Sequence, residues 1–121
     1  SGLVPGPLIE VFEGDTVRIR LENRLAQDTT VHWHGLPVPP DQDGSPMDPV
    51  APGATRLYEF TLPVGSAGTY WYHPHPHRFT AEQVFRGMAG RTKTSRSSGY
   101  RDLSRSLSWQ SGWLPPAVSM R

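Results

Sequence analysis

The sequence predicts an all-β domain, either a sandwich or a barrel, on two observations. Short stretches of alternating apolar and polar residues recur along the chain, and turns rich in Gly and Pro separate them. The chain has 121 residues, which is enough for one domain with a single core.

Residues 16–22 give the clearest strand, because Val17, Ile19 and Leu21 fall on one face and polar residues on the other. This period of two is typical of a half-buried antiparallel strand. Further strands are predicted at 8–12, 29–34, 54–62 and 69–73, and one or two helical turns at 80–85. Between them, residues 36–53 contain six prolines and three aspartates, which predicts a long loop.

The five histidines of the chain lie in two short stretches, residues 30–35 (Thr-Val-His-Trp-His-Gly) and 70–77 (Tyr-Trp-Tyr-His-Pro-His-Pro-His). Successive side chains of a strand point to opposite faces, so His32 and His34 should share one face and Trp33 the other. Prolines restrict the backbone of the second stretch, which suits a preorganised metal site. Two His-x-His pairs in one small domain therefore predict metal binding.

The residue types leave the metal open, because imidazole donors suit zinc, copper, iron or nickel. We interpret residues 70–72 (Tyr-Trp-Tyr) as core packing rather than a cofactor site, and His77 as a surface or supporting residue rather than a ligand. The absence of cysteine excludes disulfides, zinc fingers and thiolate metal sites within this chain.

The net charge of +1 is divided unevenly, with +5 in residues 91–121 and −4 in residues 1–90. A basic tail can bind nucleic acid, but we do not favour that interpretation and expect no nucleic-acid partner. We also expect no membrane partner, because no apolar run approaches the ~20 residues of a membrane helix. No secretory signal is visible at residues 1–7.

The order of several motifs resembles the first cupredoxin domain of a multicopper oxidase, of the laccase-like and bacterial copper-tolerance group. The resemblance covers residues 2–90, and the ordered pair of His-Trp-His-Gly and His-Pro-His is its most specific part. The matching segments are 5–9 (Pro-Gly-Pro-Leu-Ile), 14–17 (Gly-Asp-Thr-Val), Asn23, 30–35, 68–75 and 86–90 (Arg-Gly-Met-Ala-Gly).

The resemblance implies a Greek-key β-sandwich of the cupredoxin type and copper as the metal. It implies that His32 ligates a type 2 copper and that His34, His73 and His75 ligate a type 3 pair. It further implies that Asp43 relays protons to the oxygen being reduced and is not a metal ligand. His77 matches a position that is often histidine in bacterial members without being a ligand.

The family's type 1 copper site needs a cysteine and histidines from a C-terminal cupredoxin domain, which this chain lacks. We therefore expect an N-terminal fragment that carries half of the trinuclear ligands and is inactive alone. The intact enzyme is expected to use dioxygen and a reducing substrate, such as a phenol or a metal ion, in the periplasm or outside the cell. The alternatives are a stand-alone copper-binding or carrier module and a fragment that does not fold stably. A downstream His-Cys-His motif would favour the oxidase.

Residues 91–121 depart from the family, and residues 91–99 (Arg-Thr-Lys-Thr-Ser-Arg-Ser-Ser-Gly) contain no apolar residue for a buried strand face. We therefore predict two segments, a cupredoxin domain at 1–90 and a basic, Ser/Arg-rich tail at 91–121 that is irregular or disordered. The sandwich should then be incomplete, with an open edge. The tail is expected to result from a change of reading frame, which translation of the other frames past the Gly90 codon would show. A genuine flexible arm is the alternative.

Overall fold

A computed structural model describes residues 4–96 and 102–110, and within these ranges the chain forms two β-sheets. The strands are β1 (Ile9–Phe12), β2 (Thr16–Arg24), β3 (His32–His34), β4 (Thr55–Thr61), β5 (Gly68–His73), β6 (Gly90–Ser95) and β7 (Asp102–Gln110). A 3-10 turn covers Pro40–Gln42 and a six-residue α-helix, α1, covers Thr80–Phe85. In the described part of the chain, no helix has the length and apolarity needed to cross a membrane.

One sheet has the strand order β1-β6-β5-β3 and the other the order β4-β2-β7. The β1–β6 and β2–β7 pairs are parallel, whereas the remaining pairs are antiparallel. The predicted all-β sandwich is therefore confirmed, and so is the short helix at 80–85.

Trp33 lies at the centre of the core between the two sheets and is almost completely buried. Its ring centroid lies 5.7 Å from Tyr58, 5.4 Å from Phe60 and 6.0 Å from Tyr72. The predicted inward face of β2 is also confirmed, since Val17, Ile19 and Leu21 are all buried. The core thus forms where both sheets direct their apolar faces towards each other.

The strand predicted at 29–34 is shorter than expected, because only His32–His34 pair with a neighbouring strand. Thr29 instead forms an isolated bridge with Val50 in the long loop. The backbone N–H of Val31 donates to the Tyr58 hydroxyl at 3.0 Å, so a side chain replaces a strand partner there.

The prediction of an irregular tail is wrong for β6 and β7, which both lie beyond residue 89. The predicted open edge was to result from the lack of a strand after residue 90. β6 fills that place, between β1 and β5. The prediction failed because it required apolar residues, whereas Thr92 and Thr94 form the buried face of β6 and are β-branched residues that favour strands. Residues 97–101 and 111–121 lie outside the described ranges, and the origin of the tail in a reading-frame change stays a prediction.

The two threonines of β6 carry an energetic cost. Among the described residues, the Oγ1 atoms of Thr92 and Thr94 are buried without a hydrogen-bond partner. A buried polar group left unpaired costs roughly 1–3 kcal/mol. Valine has nearly the shape of threonine without the hydroxyl, so it would remove this cost.

We expect Thr92→Val and Thr94→Val each to raise the free energy of unfolding by about 1 kcal/mol, measured by urea denaturation. Thr29→Val is the matched control, because buried Thr29 donates its hydroxyl to the Gln83 side chain at 2.8 Å. That variant should lower stability. A β6 variant less stable than the parent would contradict the prediction.

Candidate metal centre

The antiparallel pairing of β3 with β5 brings the two histidine stretches together. His32 lies opposite His73, and His34 lies opposite Trp71. Because alternate residues of a strand share a face, these four side chains form a square on the sheet surface that faces away from Trp33. Three corners of the square are imidazoles and the fourth is an indole.

The imidazoles converge as the sequence predicted. The ring centroid of His32 lies 5.3 Å from that of His34 and 5.2 Å from that of His73, and His34 and His73 are 5.4 Å apart. One donor nitrogen from each of these three residues lies within 4.8 Å of the others. Metal–nitrogen bonds are about 2.0–2.1 Å long, so donors at this spacing can hold a metal ion or a group of adjacent ions.

His75 joins the cluster from beyond the end of β5. Its ring centroid lies 5.4 Å from His32 and 5.9 Å from His73. Its backbone N–H donates to Thr30 Oγ1 at 2.9 Å, which fastens the Pro-His-Pro segment to β3. The convergence of all four predicted histidines is therefore confirmed, whereas His77 is exposed and is not part of the three-histidine group.

Hydrogen bonds fix the lone pairs of two of the imidazoles. Nδ1 of His73 lies 2.8 Å from the carbonyl oxygen of Pro74, which can only accept, so Nδ1 carries the proton and Nε2 the lone pair. Nδ1 of His32 lies 3.0 Å from Asp43 Oδ1 and 3.1 Å from the Asp43 carbonyl oxygen, with the same result. Anchoring of the distal nitrogen in this way is typical of metal-ligating histidines, so the donor set fits a metal of the copper or zinc type.

Burial lowers the pKa of His73, and the neighbouring imidazoles of His32, His34 and His75 lower it further. The hydrogen bond to Pro74 opposes this shift. A lowered pKa keeps the imidazole neutral, and the neutral form is the one that binds a metal.

The long loop supplies the wall beside His32. Asp43 accepts a hydrogen bond from the backbone N–H of Trp33 at 3.3 Å in addition to its contact with His32. Gly44 has φ of +65°, and a Cβ there would collide with the carbonyl of Val31, so the loop can approach β3 this closely only with glycine. Asp43 thus lies beside a histidine and outside the three-histidine group, and its proton-relay role stays a prediction.

A cleft of about 220 Å³ opens next to this wall. Its lining includes His32, His75, Asp43 and Ser45. A small molecule in the cleft would therefore touch imidazoles from both stretches and the carboxylate at once.

The interpretation of residues 70–72 as core packing is correct for Tyr72, which is buried, and for Tyr70, which packs partly against the core. It is wrong for Trp71, which is 39% exposed and lies over the imidazoles.

The sequence analysis also missed Thr30. No sequence signal identifies the hydrogen bond between Thr30 and the backbone of His75. The position of Trp71 could have been predicted, because residues 71 and 73 of a strand point to the same face.

Comparison with known proteins agrees with this geometry. A sequence model of the multicopper oxidase family matches residues 1–96. The multicopper oxidase mco of Staphylococcus haemolyticus is 43% identical over 90 residues, which are 74% of this chain and 20% of that protein. Copper resistance protein A of Escherichia coli is 41% identical over 88 residues, which are 70% of this chain and 14% of that protein.

Solved structures give the same result. A multicopper oxidase from Campylobacter jejuni, described as a metallo-oxidase, superposes with a TM-score of 0.77 at 57% identity, over 79% of this chain and 20% of that one. A multicopper oxidase from Pediococcus acidilactici superposes with a TM-score of 0.72 at 40% identity, over 78% of this chain and 20% of that one. The chain thus spans about a fifth of the length of these oxidases.

We expect His73 to titrate below the ordinary histidine value of 6.5 and to carry its proton on Nδ1 when neutral. As the pH falls, His73 is then protonated in the unfolded chain before it is protonated in the folded chain. Protonation therefore favours the unfolded chain, and the free energy of unfolding should decrease as the pH falls below 6.5. Long-range ¹H–¹⁵N NMR spectra across a pH titration measure both the pKa and the tautomer. A pKa above 6.5, or a proton on Nε2, would contradict the expectation.

Proposed function

Because the chain belongs to the multicopper oxidase family, we propose that it supplies one side of the copper centre of a laccase-like oxidase. The intact enzyme would couple one-electron oxidation of a donor to four-electron reduction of dioxygen to water. The observation that carries the proposal is the convergence of donor nitrogens from His32, His34 and His73 within 4.8 Å. Since the chain spans about a fifth of the matched oxidases, the whole reaction is proposed for a longer protein.

We assign His32 to a type 2 copper and His34, His73 and His75 to a type 3 pair. The family resemblance carries this division, and the ring of His32 lies 5.2–5.4 Å from each of the other three, so the four imidazoles are near enough to serve adjacent coppers. Bound copper would supply the one-electron chemistry. The chain's own contribution is to hold neutral imidazoles in place through the anchored Nδ1 atoms of His32 and His73.

Asp43 is proposed to carry protons to oxygen bound in the centre. Its carboxylate is partly exposed, touches Nδ1 of His32 and lines the same cleft as His75. A carboxylate in that place can take a proton from water and deliver it into the cleft. The role needs no direct bond between Asp43 and a metal.

The remaining parts of the enzyme are proposed to lie in a C-terminal cupredoxin domain, which would bring the cysteine of the type 1 site and the other trinuclear ligands. The 121-residue chain alone would then be inactive as an oxidase. Phenols or metal ions are the proposed reducing substrates, and the periplasm or cell exterior the proposed location, both from the family resemblance.

We keep the division at residue 90 as a proposal, with residues 91–121 arising from a change of reading frame. The observation that supports it is the buried face of β6, where the hydroxyl groups of Thr92 and Thr94 have no hydrogen-bond partner among the described residues. The family match itself extends past this division, to residue 96.

A copper-binding or carrier module is the second candidate function. It is favoured by the exposure of His34 and His75, since exposed ligands let a metal exchange with solvent. Both candidate functions predict that this chain binds copper and oxidises no substrate. The oxidase and the carrier module therefore differ only in the activity of a longer protein.

We expect the purified chain to bind Cu²⁺ and His34→Ala to weaken binding by more than about tenfold, because the variant removes a donor. Isothermal titration calorimetry gives the affinity, and nitrogen couplings in the EPR spectrum identify imidazole ligands. His77→Ala is the matched control and should bind within about twofold of the parent. Equal binding by His34→Ala, or turnover of a phenol by the chain alone, would contradict the proposal.

Asp43→Asn, made at the matching position of a full-length relative, should slow oxygen reduction by about a hundredfold while leaving the copper content unchanged. Asparagine keeps the Oδ1 acceptor for His32 and Trp33 but cannot carry the proton. Asp41→Asn is the control, because exposed Asp41 contacts the side chain of Gln42 and not a histidine. Loss of copper from Asp43→Asn would show that the carboxylate is structural.

A further inference from the structure

Trp71 occupies the fourth corner of the square that His32, His34 and His73 begin. Its ring centroid lies 4.1 Å from that of His73, with 31° between the planes, and 5.0 Å from that of His34, with 35° between the planes. A single indole therefore packs against two imidazoles that belong to different strands, β3 and β5.

Core packing does not account for this placement. Trp71 is 39% exposed, whereas its neighbour Tyr72 points into the core and is fully buried. A large apolar side chain left partly in water gains less from burial than one in the core. What distinguishes the position of Trp71 is the contact with the imidazoles.

The hydrogen bonds of the cluster leave part of the ring geometry unfixed. The hydrogen bond from His73 Nδ1 to Pro74 O fixes the position of one ring nitrogen. The imidazole can still tilt about that bond, and only a contact on the face of the ring would prevent the tilt. His34 is held by the 3.2 Å contact between its Nδ1 and His73 Nε2. A metal on the His73 lone pair would replace that contact, and the packing of Trp71 on the His34 ring would remain as a contact from the protein.

We propose that Trp71 is a positioning residue of the copper centre, which sets the planes of His73 and His34 by stacking on both. The role rests on the proposed function, because it concerns imidazoles that hold copper. Metal binding draws electron density from an imidazole, and an indole face attracts an electron-poor ring, so the stack should strengthen when copper is bound.

The test compares Trp71→Phe, which keeps an aromatic face, with Trp71→Leu, which keeps only apolar bulk. Loss of a group that orients a ligand typically costs 10–100-fold in metal affinity, so we expect Trp71→Leu to bind Cu²⁺ at least about tenfold more weakly and Trp71→Phe to stay within about threefold of the parent. Phe85→Leu is the matched control, because Phe85 is a 74% exposed aromatic residue on α1, and it should bind normally.

The calorimetric affinities are accompanied by EPR spectra of the Cu²⁺ complexes. Altered nitrogen couplings in Trp71→Leu, but not in Phe85→Leu, would show changed imidazole orientation rather than a general loss of stability. Parent-like binding by Trp71→Leu, or equal losses in Trp71→Leu and Trp71→Phe, would overturn the proposal.

NMR of the metal-free chain separates this proposal from the proposed function. A stacked indole should shift the ring protons of His73 upfield in the parent, and this shift should disappear in Trp71→Leu. If the shift is present but the parent binds no Cu²⁺, the proposed function fails while the stack stands. If the parent shows no upfield shift, the positioning role is overturned even where Trp71→Leu fails to fold.

Discussion

The histidine cluster depends on the burial of Trp33 between the two sheets. β3 is only three residues long, and its alternation directs Trp33 into the core and His32 and His34 to the opposite face. A shift of one residue in the pairing with β5 would bury the imidazoles and expose the indole, at the cost of the aromatic contacts with Tyr58, Phe60 and Tyr72. The hydrophobic core thus fixes the register on which the cluster is built.

The same tryptophan holds the loop that lines the cleft. The indole N–H of Trp33 donates to the carbonyl oxygen of Gln42, and its backbone N–H donates to the carboxylate of Asp43. The side chain of Gln42 accepts a hydrogen bond from Glu59 on β4. These bonds order a proline-rich segment with little regular structure of its own, so the position of Asp43 beside His32 follows from the core and not from the loop alone.

Period-two alternation predicted β2, β4 and both faces of β3, because one side of each meets the core and the other meets water. It failed for β6, where Thr92 and Thr94 are buried although polar, so hydrophobicity carried no signal. The four histidines could be found from their spacing. Trp71 was assigned to the core because its run of aromatic residues suggested packing, whereas its contacts come from the cross-strand register, which a single sequence does not reveal.

The cluster is organised by the protein before any metal arrives. Each of the four imidazoles lies within 6 Å of at least two others, so they repel when protonated, and the lowered pKa of His73 reduces that repulsion by keeping one of them neutral. The anchoring oxygens of Asp43 and Pro74 leave lone pairs free to bind a metal. Because His34 and His75 are exposed, the cluster is open on the side away from the core.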